Sequence, residues 1–188
     1  MSETITKAMK RPGVVPAALT GAGVFAVLLL IGFVQALFTT LSVVATASIA
    51  GDYVGQLWVG QFVASVTGPL PFAIGVFLSL WQVAPIAPSL RLAHVVTRSI
   101  LAALLGGAVM WIVFWVTLLV SDAASLAPEF QGAIVFGKLG PDALQALFRA
   151  LAVTAGYLPV AVLAAILLWG WLQRHPLDKK VHGALDEV

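Results

Sequence analysis

The sequence predicts an all-α integral membrane protein, folded as a four-helix bundle in one domain spanning residues 1–188. Three observations carry this. Of the 188 residues, 61% are hydrophobic and 10% are charged, where soluble domains carry about a quarter charged residues. Mean hydropathy is +1.03. Four long stretches, residues 12–51, 53–90, 99–121 and 150–173, contain no Asp, Glu, Lys or Arg, and a helix needs about 20 apolar residues to cross a bilayer. The 17 glycines and 10 prolines are tolerated in membrane helices. This composition excludes an ordinary soluble enzyme, a disordered chain and a nucleic-acid binder with a basic face. Cysteine is absent, which removes disulfides, thiolate nucleophiles and zinc-thiolate sites.

The first span is expected over residues 17–43, the second over 61–83, the third over 96–120 and the fourth over 149–173. Four crossings put both termini on one side. Of the ten Lys and Arg, eight fall on that side: Lys7, Lys10, Arg11, Arg91, Arg98, Arg174, Lys179 and Lys180. Only Lys138 and Arg149 fall opposite. Basic residues are retained in the cytoplasm, so the expected location is the plasma membrane, multi-pass, with both termini cytoplasmic. The rival for the first span is a secretory signal cut near residues 44–47. Its apolar run exceeds the usual signal core of about 7–15 residues.

Between the first two spans, residues 52–59 carry Leu57 and Trp58 and either lie flat at the interface or open the second span. The second span contains GPLPFAIGVFLSLW at residues 68–81, and the fourth contains GYLPVAVLAAILLW at 156–169. Glycine, leucine, proline, alanine and the closing Leu-Trp recur in register. AALTG at 17–21 resembles AALLG at 102–106 in the same way. One reading is two helical hairpins related by an axis along the membrane normal; the other is coincidence within a narrow alphabet. Pro71 and Pro159 lack an amide hydrogen and free the carbonyls four residues back, those of Thr67 and Ala155. In lipid these need a neighbouring helix, a hydroxyl or water, with Thr67 and Thr154 the nearest hydroxyls. The prolines read as kinks, or as the walls of a small polar site.

After the second span, Pro88 suits a helical first turn. A helix starting there would align Arg91, His94 and Arg98 on one face, against anionic lipid headgroups or an acidic partner surface. His94 has no nearby histidine or carboxylate in sequence, so no metal site is assigned. In the third span, Ala102, Gly106, Ala103 and Gly107 form two small-residue strips, matched by Ala17 and Gly21 in the first span and by Ala161 and Ala165 in the fourth. Such strips let helices approach closely, in this chain or a partner. Trp111 and Trp115 share a face with Phe114 nearby; they fill the bundle, meet a partner or face lipid. Trp81, Trp169 and Trp171 read as interfacial anchors.

The segment 121–140 is an apolar outer loop with Pro128, Phe130 and Phe136. Gly140, Pro141 and Asp142 then resemble a helix start, which either extends the fourth helix beyond the membrane or forms a short surface helix. Gln35, Thr39, Thr40 and Ser42 line the outer half of the first span, Gln82 ends the second, and Tyr157 adds a polar tip in the fourth. No acid or lysine lies inside a proposed span, which argues against a proton-coupled transporter or voltage sensor. No HExxH motif or phosphate loop is present, and the acidic residues Asp52, Asp122, Glu129 and Asp142 read as loop charges. We therefore expect no catalytic residues, no metal, no cofactor and no nucleic acid. The expected function is a small non-catalytic subunit that packs against and stabilises a larger membrane protein complex, with other membrane proteins and anionic lipid headgroups as partners. The alternative is a homo-oligomeric channel or carrier for a small solute.

Overall fold

A computed structural model describes residues 13–46, 51–125 and 131–175. It is all-helical among these residues. Helix α1 is Val14–Thr46, α2 is Gly51–Thr67, α3 is Pro69–Leu78, α4 is Leu92–Ser125 and α5 is Gln131–Arg174. A π-helical turn, Ser79–Val83, ends α3. Four segments are long and apolar enough to cross a membrane: Val14–Val44, Trp58–Val83, Leu92–Ala124 and Gly137–Arg174. The protein is a multi-pass membrane protein. Lys7, Lys10, Arg11, Lys179 and Lys180 lie outside the described residues.

The helices outrun the spans expected from charge. α5 has 44 residues, about 66 Å at 1.5 Å per residue, against a hydrocarbon core of about 30 Å. Over the extra length α5 pairs with α4, through Trp111, Trp115 and the Asp122–Lys138 contact. Pro141 therefore lies inside α5 and does not begin it. Likewise, residues 52–59 belong to α2, at the head of the second span.

The four spans alternate in direction and form a ring: first on second, second on third, third on fourth, fourth on first. Gly13, Ala17 and Leu172 line one small cavity, so the two described ends lie at the same end of the bundle, here the proximal end. The core runs through Ala17, Val24 and Leu28 of α1, Phe72 and Val76 of α3, Ala102, Ala103, Met110 and Phe114 of α4, and Ala146, Ala150, Ala161 and Ala165 of α5. Glycines set its tightest crossings. A Cβ on Gly75 would sit 2.5 Å from the Gly106 Cα, and one on Gly106 would sit 2.8 Å from the Phe72 carbonyl. The backbones of α3 and α4 thus touch with no side chain between them.

The second span is broken where the sequence suggested one kinked helix. Gly68 stands outside both helices at φ −111°, ψ −80°. Two prolines follow within three residues, so the amides that would bond to the Ser65 and Thr67 carbonyls are missing. In α5, by contrast, Gly156 and Pro159 lie within continuous helix. Pro71 is buried and Pro159 is exposed. The two similar sequence windows therefore do not share a backbone conformation, and the two prolines do not bound a common site. The difference lies in Pro69, which the second window lacks.

The turn between the second and third spans folds back over the proximal end and buries Ala84, Pro85 and Ile86. Pro88 lies in this turn, and the helix begins four residues later, because the Arg91 carbonyl accepts the first helical amides, from His94 at 2.9 Å and Val95 at 3.1 Å.

Candidate functional site

The break at Gly68 sends α2 away from α4, with which it makes few contacts, and along the distal half of α1. The angle between these parts opens a cavity of about 320 Å³ lined by Leu28, Ile31, Gly32 and Gln35 of α1, Gln61, Ala64 and Ser65 of α2, Pro69 of α3, and Gly156 and Tyr157 of α5. Its polar groups are two amides and two hydroxyls. All are uncharged.

Each wall has a local cause. Gln61 reaches α1 because residue 32 is glycine: a Cβ there would lie 2.6 Å from Gln61 Nε2. Phe33 and Trp58 also hold α1 and α2 together, with ring centroids 5.5 Å apart. Tyr157 is oriented by Phe72, edge to face at 5.2 Å, and its hydroxyl lies 3.5 Å from the Cβ position of Gly68. Its oxygen thus sits beside the broken backbone. Ser65 donates to the Gln61 carbonyl at 2.8 Å, and Thr67 to the Val63 carbonyl at 3.0 Å. The Thr67 hydroxyl is therefore spent on its own helix and does not serve the carbonyl freed by Pro71. Thr39 and Thr40 are spent in the same way, on Gln35 and Ala36. Gln35, Gln61 and Tyr157 make no side-chain hydrogen bond among the described residues.

The small-residue strips lie at helix crossings. Ala102, Ala103, Gly106 and Gly107 of α4 and Ala161 and Ala165 of α5 are all buried. A Cβ on Gly107 would meet Thr154 Oγ1 at 2.5 Å, so these residues pack within this chain. Gly21 meets Phe77 and the Ala73 carbonyl. Sequence reasoning missed Gly75, Gly32 and Gln61. Each matters only through a residue on another span, and periodicity along one helix carries no signal for that.

Trp81, Trp111, Trp115 and Trp169 pack against the core. Trp111 Nε1 donates to the Ala143 carbonyl at 2.9 Å and Trp115 Nε1 to the Leu139 carbonyl at 3.2 Å. The two rings stack at 6.2 Å. Trp169 Nε1 donates to the Leu90 carbonyl at 3.1 Å and clamps α5 to the proximal turn. Trp81 stacks on Phe77 at 5.4 Å. Trp81 and Trp169 thus pack within the chain, and Trp171 is exposed.

Arg91 and His94 are exposed at the proximal end. Arg98 is half-buried, and its guanidinium donates to the Pro85 carbonyl, so it also pins the turn. At the distal end Arg149 lies over the Phe114 ring, 4.5 Å from its centroid, and Lys138 pairs with Asp122 at 2.7 Å. Among the described residues no group of three His, Cys, Asp or Glu is arranged to hold a metal ion. A second, larger groove of about 600 Å³ runs between α1 and α5 in the proximal half, lined by Thr20, Gly23, Val27, Val160, Ala164 and Leu167 among others. No known protein family, curated protein or solved structure matches this chain.

Proposed function

We propose that the chain is a small non-catalytic membrane subunit that packs against a larger membrane protein complex. The observation that supports this is the groove between α1 and α5. Its floor contains Gly23, Thr20 and Ala164, residues small enough for a foreign helix to approach the backbone. Its rim carries exposed Leu19, Leu163 and Leu167. The setting we propose is the plasma membrane with both termini cytoplasmic, supported by eight of ten basic residues on the terminal side and by the common location of the two described ends.

The test uses Gly23, whose Cβ position has nothing within 4 Å. Gly23→Leu leaves the chain's own packing intact and fills the groove. Overpacking a helix interface costs about 1–3 kcal/mol, so a partner copurified in mild detergent at fixed ratio should be lost from the variant. An unchanged complex, or a particle holding this chain alone, overturns the reading.

The second reading is a homo-oligomeric channel or carrier for a small solute, and the polar cavity at the helix break is what favours it. Broken helices lining a cavity near the membrane midplane are how carriers expose backbone to solutes. Under this reading Pro71→Ala alters flux in proteoliposomes. Pro159→Ala leaves it unchanged, since Pro159 is exposed and lies within continuous helix, away from the break at Gly68.

A further inference from the structure

We propose that the cavity beside Gly68 binds an uncharged, hydroxyl-bearing group, as carried by a free polyol or by the glycerol headgroup of a diacylglycerol.

The inference concerns the cavity that favours the second reading, requires no transport through it, and rests on the hydrogen-bond balance of the walls. Pro69 and Pro71 remove two amide donors and leave the Ser65 and Thr67 carbonyls without their helical partners. Ser65 and Thr67 point their own hydroxyl protons at carbonyls within α2. Of these two carbonyls, that of Ser65 belongs to a residue lining the cavity, and no amide or hydroxyl of the other walls donates to it, so it is open to a donor from a ligand. Gln35 and Gln61 each offer an amide with both functions, and Tyr157 a hydroxyl. A buried carbonyl in a membrane must find a donor. The ligand that fits supplies O–H groups.

Charge excludes the alternatives. No cationic side chain lines the cavity to receive a phosphate or carboxylate, and no anionic one to receive an amine. Apolar molecules lose as well, since they would strand the amides and carbonyls. The size, about 320 Å³, is at the lower end for small-molecule sites. That suits a headgroup or small polyol. Leu28, Ile31 and Ala64 line the same cavity and offer an apolar wall to the carbon frame.

The full chain in nanodiscs, photolabelled with a diazirine-tagged dioctanoylglycerol and mapped by mass spectrometry, tests this. Labelling is expected in residues 28–35, 61–69 and 156–157. Unlabelled dioctanoylglycerol should compete, and its methyl ether, which lacks the hydroxyl proton, should not. Competition by glycerol as well assigns the site to water-borne polyols; competition by dioctanoylglycerol alone assigns it to the lipid. Gln61→Leu and Tyr157→Phe should each weaken competition about three- to tenfold, the factor for one lost hydrogen bond. Tyr157→Phe keeps the ring against Phe72 and so separates binding from folding. Equal competition by the methyl ether, or undiminished competition in Tyr157→Phe, overturns the proposal.

Discussion

Gly75 and Gly106 show how much one hydrogen atom decides in this fold. Each stands where the other helix's backbone passes, with the Gly75 Cβ position 2.5 Å from the Gly106 Cα. Real side chains do not sit that close, so Gly75→Ala must separate α3 from α4 and loosen Phe72, which is fully buried beside them. We expect Gly75→Ala to cost about 1–3 kcal/mol, as overpacking does elsewhere, read as an earlier midpoint in detergent unfolding. Gly23→Ala, whose Cβ position has nothing within 4 Å, should leave the midpoint in place or raise it slightly, since alanine is the better helix former. The strips at Ala102, Gly106, Ala103 and Gly107 were legible as small residues four apart. Gly75 was not, because what makes it matter is the third span crossing it. Gln61 and Gly32 share that blindness: each looks ordinary within its own helix, and their meeting defines a cavity wall.

At the scale of elements, hydrophobicity located every crossing and misjudged where the helices stop. Charge at Arg149 suggested the membrane edge, and Gly140-Pro141-Asp142 suggested a helix start. The chain ignores both because Trp111 and Trp115 donate to carbonyls on α5 two and three turns above Arg149. Those bonds, with the Asp122–Lys138 pair, hold α4 and α5 together beyond the level where lipid would. The exposed ion pair contributes little, about 0–1 kcal/mol, so the indoles carry the distal hairpin. Trp111→Phe and Trp115→Phe keep an aromatic ring at each site and remove the donor together with part of the ring. Each should destabilise by about 0.5–1.5 kcal/mol for the lost bond, and the lost ring contacts add to that. Because the rings stack at 6.2 Å, the double variant should depart from the sum of the two. Lys138→Met should change the midpoint far less than either indole.

For the whole molecule, the distribution of buried residues divides the bundle into a closed half and an open one. In α1 the buried residues end at Leu28, and in the second span they begin at Gly68. Past those points α1 and α2 hold each other at Phe33–Trp58 and at Gln61–Gly32, with few contacts between α2 and the α4–α5 pair. Proximally the ring is complete. There Trp169 and Arg98 fasten the turn, and Gly21, Gly75, Gly106 and Gly107 bring all four spans together. Local stability follows buried contact density, so opening should be cheapest where contacts are fewest. Hydrogen–deuterium exchange in nanodiscs checks this directly. Amides in residues 61–67 should exchange well ahead of those in 102–110, although both stretches are helical and lie within apolar spans. Both stretches lie in segments apolar enough to cross a membrane, so equal rates would mean that lipid, and not packing, holds α2. If a partner occupies the α1–α5 groove in the proximal half, protection of 61–67 should stay low in the complex, because that groove lies on the far side of Leu28 from the cavity. A rise in protection there on complex formation would instead place the partner over the distal opening and link assembly to access at the Gly68 break.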